Sequence, residues 1–343
     1  MAYTTINKST DYFNTKLYTG NSGTQAITGV GHQPDLVWIK NRNDTNNQSH
    51  VLYDAVRGVT KYISSNSTAV EGTETAGVTA FGTDGFTVGN TVTVNTGFNY
   101  VAWNWKANGT GSSNSNGSIT STVSANTTSG FSIVKYTGTG ANATVGHGLG
   151  VAPKMILVKK ISGSADDWLV YHSGMGATKY MKLNNTVAGT TASVAWNDTA
   201  PTTTVFSLGS SSVPNANGED YIAYCFADKT GYSKFASYQG NGNADGAFVY
   251  TGFAVKFLMV KEYGATGNWL MWDSTNRNWN RTYKMANSSD VENSADNVSI
   301  DLLSNGFKFR GNAGDSNGSG NSILYMAFGQ SLVGSNNVPC TAR

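Results

Sequence analysis

Pro34-Asp35-Leu36-Val37-Trp38-Ile39-Lys40 has two counterparts further along the chain, Pro153-Lys154-Met155-Ile156-Leu157-Val158-Lys159 and Val255-Lys256-Phe257-Leu258-Met259-Val260-Lys261. Each is a short apolar run closed by a lysine. Leu36–Ile39 and Met155–Val158 are apolar without alternation, which predicts strands covered on both faces. Upstream of each run lies an aromatic–glycine turn: Tyr18-Thr19-Gly20, Tyr136-Thr137-Gly138 and Tyr238-Gln239-Gly240. Downstream come His50-Val51-Leu52-Tyr53-Asp54, Trp168-Leu169-Val170-Tyr171-His172 and Trp269-Leu270-Met271-Trp272-Asp273. Next are Gly85-Phe86-Thr87-Val88, Val205-Phe206-Ser207-Leu208 and Gly306-Phe307-Lys308-Phe309. Each copy closes on a tyrosine-led strand: Tyr100-Val101-Ala102-Trp103, Tyr221-Ile222-Ala223-Tyr224 and Tyr325-Met326-Ala327-Phe328. Elements recurring in one order at near-equal spacing are the signature of an internal repeat.

The repeated segments are short, rich in Val, Ile, Tyr, Trp and Phe, and bounded by Gly, Asn, Ser and Pro, which is strand and turn chemistry. The expected fold is all-β, with three tandem sandwich or jelly-roll-like modules of about 100 residues each. The reading places an N-terminal arm at 1–12, module 1 at 13–107, a Gly/Ser/Asn/Thr linker at 108–128, module 2 at 129–229, module 3 at 230–331 and a tail at 332–343. Tyr3, Ile6, Leu332 and Val333 are apolar positions near the termini. They suggest a homo-oligomer with arms exchanged between subunits.

Composition narrows the function. Of 343 residues only 13% are charged, 40 are glycine and 11% are aromatic. Gly, Asn and Thr are poor in helix interiors, and the aromatic content argues against disorder. The net charge is +2, and no basic run exceeds Lys159-Lys160, which speaks against a nucleic-acid partner. No apolar stretch approaches the roughly 18 residues of a membrane span. Met1-Ala2-Tyr3-Thr4-Thr5-Ile6-Asn7-Lys8 lacks the apolar core of a signal peptide. An extracellular-looking composition without an export signal suits a virion protein made in the host cytoplasm and released by lysis.

Chemistry-bearing clusters are sparse. His32, His50, His147 and His172 show no metal-ligand spacing. Asp54 and Asp273 share a repeat position that His172 fills in module 2, and a structural role is expected for them. Cys225 and Cys340 read as free thiols. Asp315-Ser316-Asn317-Gly318-Ser319-Gly320-Asn321 offers alternating oxygens but lacks the downstream glutamate of a calcium loop. Lys40, Lys159 and Lys261 are expected to snorkel from strand ends. No catalytic residue, metal or cofactor is expected. Trp196 and Trp279 fall in loop-like stretches beside Asn197, Asp198, Asn280 and Arg281. These six residues form the expected binding site, since an indole beside polar groups can stack on a sugar.

The chain resembles tail-fibre-like virion proteins of marine bacteriophages. The resemblance rests on Met1-Ala2-Tyr3-Thr4-Thr5-Ile6, Phe13-Asn14-Thr15-Lys16-Leu17-Tyr18-Thr19-Gly20, the run from Pro34 to Arg42, and Tyr100-Val101-Ala102-Trp103-Asn104-Trp105-Lys106. It rests also on Gly117-Ser118-Ile119-Thr120-Ser121-Thr122-Val123 and on the run from Gly146 to Met155. It implies a virion surface protein and brings no catalytic residues. The expected function is that of a tail fibre or receptor-binding adhesin contacting host-surface glycans, alongside other virion proteins. The alternative is a sheath-like or capsid decoration protein acting through self-assembly. A glycan depolymerase is the third reading.

Overall fold

The computed structural model describes residues 3–275 and 280–334. The chain is all-β, with antiparallel pairing throughout its named strands and helical turns no longer than four residues. One sheet order recurs in each third of the chain: an opening strand, the closing strand, the lysine-ended strand and the strand with two aromatic positions. In module 1 these are Phe13–Thr19, Asn99–Trp105, Leu36–Asn41 and Val51–Asp54. In module 2 they are Phe131–Thr137, Asp220–Phe226, Met155–Lys160 and Leu169–His172. In module 3 they are Ser233–Gln239, Ser322–Gln330, Ala254–Glu262 and Trp269–Asp273. A smaller sheet packs on each, built around Gly85–Val88, Val205–Leu208 and Gly306–Phe309.

Alternation along the strands explains why they read as continuously apolar. One face of each large sheet meets its own small sheet, so Val37, Ile39, Val51, Tyr53, Tyr100 and Ala102 pack with Ile27, Val78, Phe86 and Val88. The other face meets the other two modules. Leu36, Trp38, Trp103 and Trp105 lie in one cluster with Leu157, Tyr224 and Phe226 of module 2 and with Phe257, Met259 and Phe328 of module 3. The modules are therefore not beads on a string; they share a central core.

The centre of that core is a trio of rings. Trp105 pairs with Leu36, Phe226 with Met155 and Phe328 with Phe257, so the three occupy one register position. Their centroids are 6.3, 5.8 and 6.1 Å apart, with interplanar angles of 65°, 70° and 67°. This is a pseudo-threefold axis in edge-to-face contact, the preferred aromatic geometry. The register also corrects the sequence alignment. Lys40, Lys159 and Lys261 pair with Val101, Ile222 and Leu324. Ile323, rather than Tyr325, therefore matches Tyr100 and Tyr221. A two-residue slip preserves which face a side chain occupies, so the pattern looked right while the equivalence was wrong.

The modules join head to tail around this axis. Lys159 Nζ donates to the Asp166 carbonyl of its own module (2.7 Å) and to the Thr68 carbonyl of module 1 (2.9 Å). Lys261 does the same with Gly267 (2.8 Å) and Thr186 of module 2 (3.1 Å). Lys40 closes the ring, with Gln48 (2.6 Å) and Ser289 of module 3 (2.8 Å). All three lysines are buried, so the snorkelling expectation fails: a neighbouring module covers each strand end, and carbonyls replace water. Desolvation pushes each amine down to about 8. Backbone bonds repeat the pattern, Glu71 N–H to Ile161 O, Gly189 N–H to Tyr263 O and Glu292 N–H to Arg42 O. Side chains differ from seam to seam. Tyr224 donates to the buried Asp54 (2.7 Å), and His172 meets the Tyr325 carbonyl (3.2 Å). At the third seam Arg42 grips Glu292 with two 3.0 Å bonds.

The segment expected to be a linker, 108–128, holds the strands Ser112–Asn114 and Ser121–Asn126, which extend the large sheet of module 2 to eight strands. Its polar composition misled because only Ile119, Ser121, Val123 and Ser124 of the segment are buried. The N-terminal arm is equally engaged within its own chain. Ile6 is 2% exposed in the central core, and Gln330 bonds both Ser9 N–H (2.6 Å) and the Asn7 carbonyl (3.1 Å). The burial that suggested arm exchange is thus met within one chain.

Because the axis is shared, the whole ring should melt as one unit. Trp105→Ala is expected to lower stability by about 3–5 kcal/mol, with tryptophan fluorescence and circular dichroism reporting coincident urea transitions. The lysines give a pH dependence. An unfolded lysine keeps its proton up to about pH 10.5, whereas the buried ones release theirs near 8, so unfolding takes up protons in between and stability rises with pH. Urea midpoints should climb between pH 8 and 9, before Cys225 and the buried tyrosines oppose the trend, and Lys159→Met should flatten the climb.

Candidate functional site

Trp196 is not a surface platform. It ends the helical turn Ser193–Trp196, is 1% exposed, and sits edge-on to Tyr171 at 5.9 Å inside the core of module 2. Asn197 and Asp198 follow with φ of 51° and 48°, a left-handed pair that Asn and Asp adopt readily. They reverse the chain, leaving the indole inside and their own side chains exposed. Gly89 N–H bonds the Gly77 carbonyl as Gly209 N–H bonds that of Ala195, so Val78 is the core counterpart of Trp196 in module 1. Trp279 lies outside the described residues. Asn280 and Arg281 are exposed, with Arg281 paired to Asp296 at 3.1 Å. Asn197 accepts from Asn142 (2.9 Å). Among the described residues no hydrogen bond, ion pair or ring contact joins Asn197 or Asp198 to Asn280 or Arg281.

The histidines and repeated carboxylates are occupied structurally. His32 meets the Thr10 carbonyl (2.7 Å), and burial lowers its pKa to about 4. His172 is likewise lowered to about 4, and His50, fully buried, accepts from Trp38 Nε1 (2.8 Å). Asp54 pairs with Arg57, and Asp273 with Lys284 (3.3 Å). Asp315 of the calcium-like run accepts from Asn268 through backbone and side chain (both 2.9 Å). Asn317 matches Asn95 and Asn215: each is buried, and each bonds the glycine carbonyl six residues before it. This repeat went unread because only the asparagine and the glycine six residues before it recur in all three modules, among many other Gly and Asn residues.

The exposed aromatic residues gather elsewhere. Phe248–Tyr250 is an edge strand of the small sheet of module 3. Val249 points inward, while Phe248 and Tyr250 are 48% and 55% exposed. Tyr3 of the arm joins them; its hydroxyl donates to the Gly252 carbonyl (2.9 Å). Gly252 has φ +86°, and a Cβ there would stand 2.5 Å from the Tyr3 hydroxyl, so glycine permits the approach. Desolvation and the neighbouring Tyr250 raise the Tyr3 pKa, which keeps the hydroxyl a donor. Lys234 bonds the Tyr250 carbonyl (3.1 Å) and lies 5.6 Å from its ring centroid. A groove of about 260 Å³ runs beside Tyr3, with Thr5, Asp228, Lys229 and Thr230 on its walls. Ring faces flanked by hydroxyls, ammonium groups and a carboxylate match the chemistry of a polyhydroxyl ligand. The sequence signal was the alternation Phe248-Val249-Tyr250, too short to stand out beside eight tryptophans.

A family profile, described as a domain of unknown function (DUF7483), matches residues 8–331. The chain belongs to the DUF7483 family. The match spans all three modules, so the DUF7483 unit corresponds to the closed ring and not to one sandwich. No curated protein matches the chain.

Trp196→Ala in this DUF7483 chain should therefore act as a core truncation, costing about 3–5 kcal/mol. A chemical-denaturation midpoint close to wild type would contradict its burial.

Proposed function

We propose that the chain is a bacteriophage virion surface protein, a tail fibre or receptor-binding adhesin that holds host-surface glycans through the face formed by Tyr3, Phe248 and Tyr250. The observation that carries the reading is that gathering: the protein sequesters most of its rings, yet three aromatic side chains lie exposed together beside Lys234 and Asp228. The resemblance to tail-fibre-like virion proteins points the same way. In this reading the protein is not an enzyme. It acts in many copies, with itself and with other virion proteins, and neither nucleic acid nor a membrane is its partner. Aromatic stacking contributes about 0.5–1.5 kcal/mol per contact, so attachment depends on multivalency.

A structural sheath or capsid decoration role is the second reading. Among the described residues Phe248–Tyr250 has a strand neighbour on one side only, and an unpaired strand edge is a template for pairing with another chain. The Phe248→Ala/Tyr250→Ala double variant separates the two. Both side chains are exposed, so the fold should persist with a near-native circular dichroism melt. On a glycan array and in cell adsorption the variant should lose at least about fivefold in binding, the arithmetic of two such contacts. Undiminished adsorption refutes the adhesin reading. Loss of particle assembly with glycan binding intact supports the decoration role, and release of reducing sugar from host polysaccharide would establish a depolymerase.

A further inference from the structure

Module 1 contains a cavity of about 220 Å³ between its strand Val51–Asp54 and the segments that carry Tyr62, Glu74 and Thr93, beside the seam with module 3. Differences among the modules create it. Ser64 lies on its wall, one residue after Ile63, the partner of Leu52. The corresponding residues are Lys182, paired with Leu169, and Met285, paired with Leu270. Thr93, also on the wall, precedes Asn95 by two residues, where module 2 places Val213 before Asn215. Met285 and Val213 both pack onto the cores of their own modules. In module 1 the short Ser64 leaves that space open, and Thr93 puts a hydroxyl on its wall where module 2 has a methyl.

The lining suits one kind of occupant. Tyr53 and Tyr62 present rings whose centroids are 6.2 Å apart. Ser49, Ser64 and Thr93 bring hydroxyls, and Glu74 brings a carboxylate with one oxygen engaged by the Ala76 amide (3.2 Å). Tyr53 carries the argument. It is 0% exposed; the Val78 backbone amide points at its hydroxyl oxygen, but among the described residues no acceptor takes its O–H proton. A buried polar group left so costs about 1–3 kcal/mol, and a ligand oxygen would relieve it. Burial and the nearby Glu74 keep this hydroxyl protonated. The floor is held in place, since Gln48 accepts from Lys40 through its carbonyl (2.6 Å) and donates to Asp44 through its amide (3.1 Å).

We propose that this cavity binds a single neutral sugar unit, with Tyr53 donating to a ring substituent, Glu74 accepting from a sugar hydroxyl and Tyr62 lying against the ring face. The volume falls below the roughly 300 Å³ at which pockets begin to hold drug-sized ligands, so one ring fits and a chain of sugars does not. Glu74 selects against anionic sugars. The site shares no residue with the Tyr3–Phe248–Tyr250 face and does not rest on the adhesin reading.

Saturation-transfer difference NMR on the full chain tests it, with a panel of free neutral hexoses and N-acetylhexosamines at millimolar concentration. At least one sugar should give a signal. Tyr53→Phe should weaken it by about tenfold, the worth of one lost hydrogen bond to a buried group. Ser64→Met, which installs the residue of module 3, should abolish it. Should Ser64→Met fail to fold, Thr93→Leu narrows the same space and must weaken the signal too. Phe248→Ala/Tyr250→Ala must leave it intact, which keeps this site distinct from the surface one. The proposal is overturned if no sugar of the panel gives a signal, if the signal survives the filling substitution, or if it vanishes with the surface pair.

Discussion

The edge-to-face packing of Trp105, Phe226 and Phe328 is the contact on which the rest of the molecule depends. Each ring sits on the closing strand of its module, at the centre of a large sheet, so the three sheets can be no further apart than the rings allow. That distance brings each lysine-ended strand against the preceding module, where Lys40, Lys159 and Lys261 find carbonyls in place of water. Burying an ammonium group is costly unless it is hydrogen-bonded, so the lysine positions make sense only in the closed ring. A module taken alone would expose one face of its large sheet and leave its lysine half-bonded.

Strand type, strand order and the covering of both faces were legible in the sequence, because period-two patterning and turn residues are local signals. The common core was not. Leu36 and Trp38 face other modules while Val37 and Ile39 face their own small sheet, and an apolar run does not say what covers each side. The same blindness hid Ile6, which the arm delivers to a core built by residues far along the chain. The linker reading of 108–128 failed because a strand needs only a few inward residues. Trp196 was misplaced for a related reason: its polar neighbours Asn197 and Asp198 are there to turn the chain, and their polarity says nothing about the indole they turn inward. The surface face depends on Tyr3 meeting Tyr250 across the fold, a proximity that no local pattern encodes.

Once the core is common, the modules differ in what each shared position does. Asp54, His172 and Asp273 occupy one position yet make an ion pair with Arg57, a hydrogen bond to a neighbouring carbonyl and an ion pair with Lys284. Lys284 itself stands where modules 1 and 2 have Ile63 and Met181, and lies 5.9 Å from the Trp103 ring centroid. Ser64 opens a space where the other modules carry the longer Lys182 and Met285. The scaffold tolerates such changes at the seams and between the sheets, while the ring trio, the lysines and the buried asparagines keep their roles.

A head-to-tail ring within one chain differs from an assembly of three identical subunits in what a single codon can change. In a symmetric trimer every substitution is copied three times, so a cavity opened in one subunit opens in all, and the loss of packing is tripled. Here the three faces are written separately. A change at position 64 loosens one module and leaves the other two to keep the ring closed. The pseudo-threefold fold thus lets one face vary in response to a new ligand while the remaining two act as unvarying ballast, an asymmetry that exact rotational symmetry forbids.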